Sequence, residues 1–293
     1  MHFVSPLRYP GGKRKLSSFV KIVYRYNDLL DGEYVEPYAG GASIALSLLY
    51  DEYVKRIYIN DIDRSVYAFW YSVLNETEAL CRLISDTPVN MEEWQRQKVV
   101  QQDRDAAIVE LGFSTFFLNR SNRSGIISGG VIGGKNQNGN WLIDARYNKE
   151  ELILRIQKVA RYRHRINLYN LDAIDFINNV SPQLTGRSLI YLDPPYYVKG
   201  QQQLYVNFYG PGDHESVRDL IRSTRSKWIV SYDDVPQIRD LYTDFRYIQY
   251  DLHYSAQERY RGAEVMFFSP DLEIPDLPDP AKIKSKVMQQ FLM

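Results

Sequence analysis

Four consecutive residues, Asp193-Pro194-Pro195-Tyr196, follow directly on the apolar run Ser188-Leu189-Ile190-Tyr191-Leu192. The run is short, rich in branched and aromatic residues and closed by two prolines, as expected of a buried strand that ends there. A carboxylate at the carboxyl end of such a strand stands where open parallel sheets hold their ligands. The prolines stiffen the turn and leave carbonyls without competing N–H groups, and Tyr196 offers a flat aromatic face. An acid, a fixed carbonyl and an aromatic plane suit the holding of a planar base by its exocyclic amino group. The same residues would also make an ordinary proline turn, and the rest of the chain decides between the two.

Two further segments have the form of strand, small-residue turn and helix. Glu33-Tyr34-Val35-Glu36 leads into Pro37-Tyr38-Ala39-Gly40-Gly41-Ala42-Ser43 and then the apolar helix pattern from Ile44. Glycines there let the backbone approach a ligand at a helix amino terminus. The pattern is not Gly-x-Gly-x-x-Gly, and Glu36 would repel a pyrophosphate but bind an ammonium group, which favours a zwitterionic or cationic ligand. About 20 residues on, Arg56-Ile57-Tyr58-Ile59-Asn60-Asp61-Ile62-Asp63 reads as a second strand ending in an acid. Asp61 is placed to accept from ribose hydroxyls, while Asp61 or Asp63 would equally cap a helix over 64–75. Upstream, Arg8-Tyr9-Pro10-Gly11-Gly12-Lys13 precedes an amphipathic helix from Leu16 to Leu30. Arg14 follows Lys13 where a P-loop needs Ser or Thr, so that reading fails. The turn either grips a small anionic ligand or lies plainly on the surface.

From about residue 76 to 165 the strand–helix rhythm stops. Residues 77–110 read as helical, and Phe116-Phe117-Leu118-Asn119-Arg120-Ser121-Asn122-Arg123-Ser124-Gly125 follows. Residues 125–140 then hold six glycines, so that stretch is a long loop or a Gly-rich hairpin. Long loops of this kind inside compact domains tend to be functional or disordered, and with its arginines, asparagines and Lys135 it is either a nucleic-acid contact loop or a surface insert. A helix over 148–164 ends in Arg161-Tyr162-Arg163-His164-Arg165. The rhythm resumes with strands at 166–170 and 188–192, a helix from Ile174, a helix after Asp213-His214, and strands at 227–232 and 246–250. Glu264-Val265-Met266-Phe267-Phe268 reads as a last, edge strand.

Formal net charge is zero, so no global field argues for a polyanion. Residues 95–165, however, hold 13 Lys/Arg against 6 Asp/Glu, and a basic middle on a neutral chain points to one face that meets nucleic acid. Cys81 is the sole cysteine and the four histidines are scattered, so no disulfide framework, metal cluster or histidine triad is expected. The amino terminus has charged and glycine-rich residues where a signal peptide needs an apolar run, and no stretch approaches the roughly 20 apolar residues of a membrane span. A cytoplasmic chain is expected.

Taken in order, these motifs resemble the Dam-type DNA adenine-N6 methyltransferases, the α group of amino-methyltransferases. The resemblance runs over nearly the whole chain. It joins the aromatic-x-Gly-Gly-Lys turn, Glu-Pro-aromatic-x-Gly-Gly, the Asn-Asp strand end, an inserted region, Asn-x-Asp-Ala-x-Asp-Phe and Asp-Pro-Pro-Tyr. It implies an α/β fold, a mostly parallel seven-stranded Rossmann-like methyltransferase sheet with helices on both faces, plus an inserted, mainly helical target-recognition domain. Residues 1–75 and 166–293 would form the catalytic domain and 76–165 the insert. The cofactor would be S-adenosyl-L-methionine, held by Tyr9, Lys13, Glu36, Gly40, Gly41, Asp61, Asp172 and Asp193, with Asp175-Phe176 competing with Asp172 for the adenine ring. Asp193, Pro194 and Tyr196 would hold the target base of double-stranded DNA, and Asn119, Arg120, Arg123 and Lys135 would contact the DNA. A cognate restriction endonuclease is a further partner this family suggests. Rival readings keep the cofactor but act on N4 of cytosine, on RNA or on a protein glutamine, or leave an inactive sequence-specific DNA-binding protein.

Overall fold

A computed structural model describes residues 4–8, 13–197, 209–253, 261–277 and 279–283. In chain order its elements are α1 (Ser17–Tyr26), β1 (Gly32–Glu36), α2 (Ser43–Tyr50), β2 (Val54–Asn60), α3 (Arg64–Asn75), α4 (Thr77–Asp86), α5 (Met91–Gln102), α6 (Ile108–Ser121) and α7 (Lys149–Arg161). There follow β3 (Ile166–Tyr169), α8 (Ala173–Val180), β4 (Ser188–Leu192), α9 (Pro211–Ser223), β5 (Lys227–Asp233), α10 (Pro236–Leu241), β6 (Tyr247–His253) and β7 (Arg261–Phe268). The strands form one seven-stranded sheet in the order β3-β2-β1-β4-β5-β7-β6. β1 runs parallel to β2 and β4, and β4 parallel to β5, whereas β7 is antiparallel to both neighbours. The fold is α/β with a mostly parallel sheet.

Two compact units divide the chain, residues 13–60 with 171–293 and residues 1–12 with 61–170. In the first, the central strands read as continuous apolar runs because both their faces are covered: β1 and β4 are buried at every position. After β1 the chain proceeds to β2, and β4 then returns on the other side of β1. The carboxyl ends of β1 and β4 therefore flank the point where strand order reverses, which is where open α/β sheets bind ligands. One expectation is corrected. The strand holding Glu264–Phe268 is not at the edge but lies between β5 and β6, with Val265 to Phe268 fully buried. A strand with apolar residues on both faces needs cover on both faces and a partner on each side, and β6 takes the edge instead.

The second unit is mainly helical and wider than residues 76–165, since it takes in α3 and β3. The helical stretch expected over 77–110 is broken into pieces, at Thr87 to Asn90, where Asn90 caps α5, and at Asp103 to Ala107. Phe69 of α3 stacks on Phe116 of α6 at 6.0 Å, and Tyr147 meets Phe116 edge-on. Gly112 lets α3 and α6 come this close. A Cβ there would stand 2.6 Å from the Ala68 carbonyl oxygen and 2.4 Å from Ser72 Oγ.

Helix α6 is buried from Leu111 to Ser121, and two of the residues expected to contact DNA lie on this buried stretch. Asn119 is 2% exposed, accepts from the Arg8 N–H at 2.8 Å and donates to the Gly125 carbonyl at 2.8 Å. Arg120 is 6% exposed and its Nε donates to the Pro6 carbonyl at 2.8 Å. Burial, with Arg155 and Arg8 nearby, lowers its guanidinium to about 9, still charged at neutral pH. Both side chains tie the segment of residues 5–8 to α6 rather than reach outward. Buried polar groups must find partners, and the carbonyls of an extended segment supply them.

The glycine-rich stretch after α6 is an organised loop. Asn122, fully buried, accepts from Trp94 Nε1 at 2.7 Å and donates to the Ile126 and Ile127 carbonyls at 2.9 Å each. An isolated bridge pairs Asn122 with Val131, and Gln137 binds the Ile132 and Gly134 carbonyls. Arg123, Lys135 and Arg146 are exposed on this loop, as is Trp141 at 71%.

Candidate active site

Asp193 leaves the carboxyl end of β4 and its side chain keeps 22% exposure. Its Oδ1 accepts from Ser231 Oγ on β5 at 2.9 Å and lies 3.1 Å from Lys13 Nζ. Ser231 is in turn bonded by the Tyr191 hydroxyl at 3.1 Å. Among the described residues Oδ2 has no such partner, so one carboxylate oxygen is occupied and the other is available. Burial and the neighbouring Glu264 carboxylate push the Asp193 carboxyl above the usual range, and Lys13 opposes them.

Lys13, on the short 3₁₀ turn ahead of α1, has only 4% of its side chain exposed. Besides Asp193 it donates to the Tyr196 hydroxyl and lies 3.4 Å from Glu264 Oε2. The Tyr196 hydroxyl donates to Glu264 Oε1, and the Tyr250 hydroxyl donates to Oε2 at 2.7 Å. One ammonium thus serves two carboxylates in a buried network, a grouping that holds because every charge has partners. Sequence reasoning brought Asp193, Lys13 and Tyr196 forward and missed Glu264, Ser231 and Tyr250. Glu264 carried one legible signal, a lone acid heading an apolar run.

Glu36 is buried at the end of β1. Gly40 follows in the left-handed region at φ 44°, as does Ala42 at φ 46° and ψ 35°, where α2 begins. A non-glycine residue held there is strained, and such strain collects at ligand clamps. Asn60, 1% exposed at the end of β2, holds this turn: its Nδ2 donates to the Pro37 and Leu171 carbonyls at 3.0 Å each. Its Oδ1 accepts from the Leu171 N–H at 2.9 Å, and its own carbonyl accepts from the Ala39 N–H at 2.9 Å. One side chain therefore joins the loop after β1 to the loop that carries Asp172. Asp172 caps α8, accepting from the Ile174 N–H at 2.8 Å, while Asp175 points outward. Asp172 acts electrostatically on Tyr38 and Tyr209, whose hydroxyls bond at 2.9 Å.

Asp61 belongs to the helical unit. Asp63, not Asp61, caps α3 through the Ser65 N–H at 2.8 Å. Asp61 Oδ1 accepts from the Asp63 N–H at 3.0 Å in a tight turn. Tyr9 lies outside the described residues. His214 is buried and packs against Tyr197, Tyr209 and Tyr232, with its Nδ1 3.2 Å from the Tyr232 hydroxyl. Burial lowers its pKa below the usual value, in keeping with a packing role. No cluster of three metal-ligating side chains occurs among the described residues, nor a helix long and apolar enough to cross a membrane.

A family model for D12 class N6 adenine-specific DNA methyltransferases matches residues 9–256, and so spans the turn at Lys13, the Glu36–Gly41 loop and Asp193 to Tyr196. The chain belongs to this family. It is an enzyme that methylates N6 of adenine in DNA, so cytosine, RNA and protein targets and the inactive binding protein are set aside. No individually curated protein matches the chain. Two solved structures of the rRNA methyltransferase AviRa from Streptomyces viridochromogenes are loosely similar, at 12% and 11% identity with TM-scores of 0.37 and 0.38. Each match covers 90% of this chain and 88% of that one, but a likeness so loose carries no argument.

In this methyltransferase Asn60 should matter to the loops more than to the strands. Asn60→Ala would strand the buried Pro37 and Leu171 carbonyls, at a cost of about 1–3 kcal/mol in urea unfolding. Its methyl-donor affinity, read by titration calorimetry, should fall several-fold while DNA affinity stays near that of the wild type.

Proposed function

We propose that the methyl donor is S-adenosylmethionine and that Asp193, Pro194 and Tyr196 hold an adenine turned out of the duplex. The observation that carries this reading is the divided use of Asp193. Lys13 and Ser231 occupy Oδ1, and Oδ2 remains for an amino N–H. The donor set fits the cofactor. Glu36 suits its ammonium group, the Gly40-Gly41 turn admits its methionine part, and Asp61 and Asp172 suit ribose hydroxyls and the adenine amino group. The family resemblance adds Lys13 and, outside the described residues, Tyr9 to the cofactor's holders. When bound, S-adenosylmethionine supplies a sulfonium-activated methyl group.

The adenine amino nitrogen is a weak nucleophile because its lone pair is delocalised into the ring. Asp193 Oδ2 and the Pro194 carbonyl, each accepting one N–H, draw the nitrogen toward tetrahedral geometry and localise the lone pair. Positioning and electrostatics carry the rate, and no covalent enzyme intermediate is needed. As the new N–C bond forms, positive charge develops on nitrogen. Asp193 is placed to take the surplus proton and, being partly open to solvent, to pass it on. Extrusion of the base costs about a few kcal/mol, offset in part by stacking on Tyr196. Lys13 Nζ lies 4.8 Å from the centre of that ring.

Asp193→Ala should abolish methylation, with much smaller loss of DNA affinity, measured by tritiated methyl transfer beside fluorescence anisotropy. Near wild-type turnover would end the assignment. For DNA contact the exposed side chains, Arg123 and Lys135, are the ones assigned to phosphate. Arg123→Ala should weaken binding to every sequence and flatten the salt dependence by about one unit of slope. Arg120→Ala should instead leave the slope unchanged and lower stability by about 2–4 kcal/mol, since it strands a buried carbonyl and opens a cavity.

A further inference from the structure

Glu264 stands inside the sheet with no exposed surface, opposite Asp233 on β5 and Tyr250 on β6. An ionised carboxylate at an interior strand position is unfavourable unless donors converge on it. Three do: the Tyr196 and Tyr250 hydroxyls and the Lys13 ammonium. Two of these three belong to the site that meets the base. The stem of Glu264 thus anchors, from the far side, the same lysine and tyrosine that border Asp193.

We propose that Glu264 is a positioning residue for methyl transfer, holding Lys13 between two carboxylates and fixing the Tyr196 ring while leaving the cluster one surplus negative charge. The proposal rests on Asp193 as the acceptor for the amino group. Two consequences follow from charge alone. With both carboxylates ionised against one ammonium, the cluster favours the positive charge that develops on the adenine amino nitrogen. With Lys13 shared, Asp193 is less strongly neutralised than in a simple ion pair and stays basic enough to take the departing proton.

The ionisable groups around Asp193 define what a titration would report. Lys13 ahead of α1 and Glu264 on β7 are the charged groups that act on it. Tyr34 on β1, Tyr191 on β4 and Tyr250 on β6 also face it, and burial pushes all three hydroxyls upward, so they stay neutral. On β5, Asp233 accepts from the Tyr197 N–H at 2.9 Å, and Ser231 does not titrate. Glu264 holds the Asp193 carboxyl up and Lys13 holds it down. Methyl transfer requires Asp193 ionised, so activity is lost as pH falls through its pKa. Removing the Glu264 charge must then move that acid limb to lower pH.

The test is single-turnover methylation of unmethylated DNA at saturating S-adenosylmethionine, over a pH series, with wild type, Glu264→Gln, Glu264→Asp and Asp193→Asn. Glu264→Gln is expected to lose roughly tenfold or more in rate at saturating donor and to shift its acid limb down by about one pH unit. Glu264→Asp keeps the charge but shortens the reach to Tyr196 and Tyr250, so its rate falls while its acid limb stays in place. A Glu264→Gln enzyme with the wild-type rate and acid limb, beside an inactive Asp193→Asn, would overturn the proposal alone. An Asp193→Asn enzyme that kept the wild-type rate would overturn the reading beneath it. If Glu264→Gln does not fold, Glu264→Asp decides, and a wild-type rate in that variant would overturn the proposal.

Discussion

A lysine ammonium with almost no exposed surface lies between two carboxylates, Asp193 and Glu264, and the active site depends on that arrangement. Bringing such ions out of water costs several kcal/mol each, and loss of one partner from a buried set costs about 3–5 kcal/mol. The cost is offset only because the hydroxyls of Tyr196, Tyr250 and Ser231 complete the shell. These donors come from three places, the loop after β4 and strands β5 and β6, while the acceptor Glu264 stands on β7. The antiparallel pair at one side of the sheet therefore supplies members of this ion network as well as scaffold.

The opposite requirement, an open place for ligand, is met where strand order reverses. β1 and β4 are neighbours whose chains continue to different sides, so the turns after them diverge. The turn after β1 has the tight left-handed geometry of Gly40 and Ala42, and Asn60 spans it to the loop before α8. In the separate helical unit the same economy recurs. Asn119 and Asn122 hold backbone that has no ladder of its own, and Arg123, Lys135 and Arg146 stand exposed beyond them on the loop.

Much of this was legible in the chain. Continuous apolar runs closed by Asp-Pro-Pro and by Glu-Pro announced central strands with ligand-facing ends, and the structure has β4 and β1 there. What the sequence concealed was direction. Asn119 and Arg120 look like a polar, cationic face, yet Ser114 to Leu118 before them are small or apolar at every position, the mark of a helix buried all round. Composition gave their charge and not the way they point. β7 was misplaced because strand order among the last three strands depends on long-range pairing, to which local periodicity is blind. The apolar residues on both faces of Val265–Phe268 were the available sign of an interior strand, and reading them would have brought Glu264 inward.

The central claim is that this site directs a donor methyl group to the amino nitrogen of adenine in DNA. The most direct measurement is to incubate the protein with S-adenosylmethionine carrying a deuterated methyl group and unmethylated DNA, digest the DNA to nucleosides, and weigh the products by mass spectrometry. N6-methyladenine carrying all three deuterons is the predicted product, since the methyl group moves intact in one displacement. Deuterium on N4 of cytosine, or no labelled nucleoside from an enzyme that binds both partners, would contradict the account.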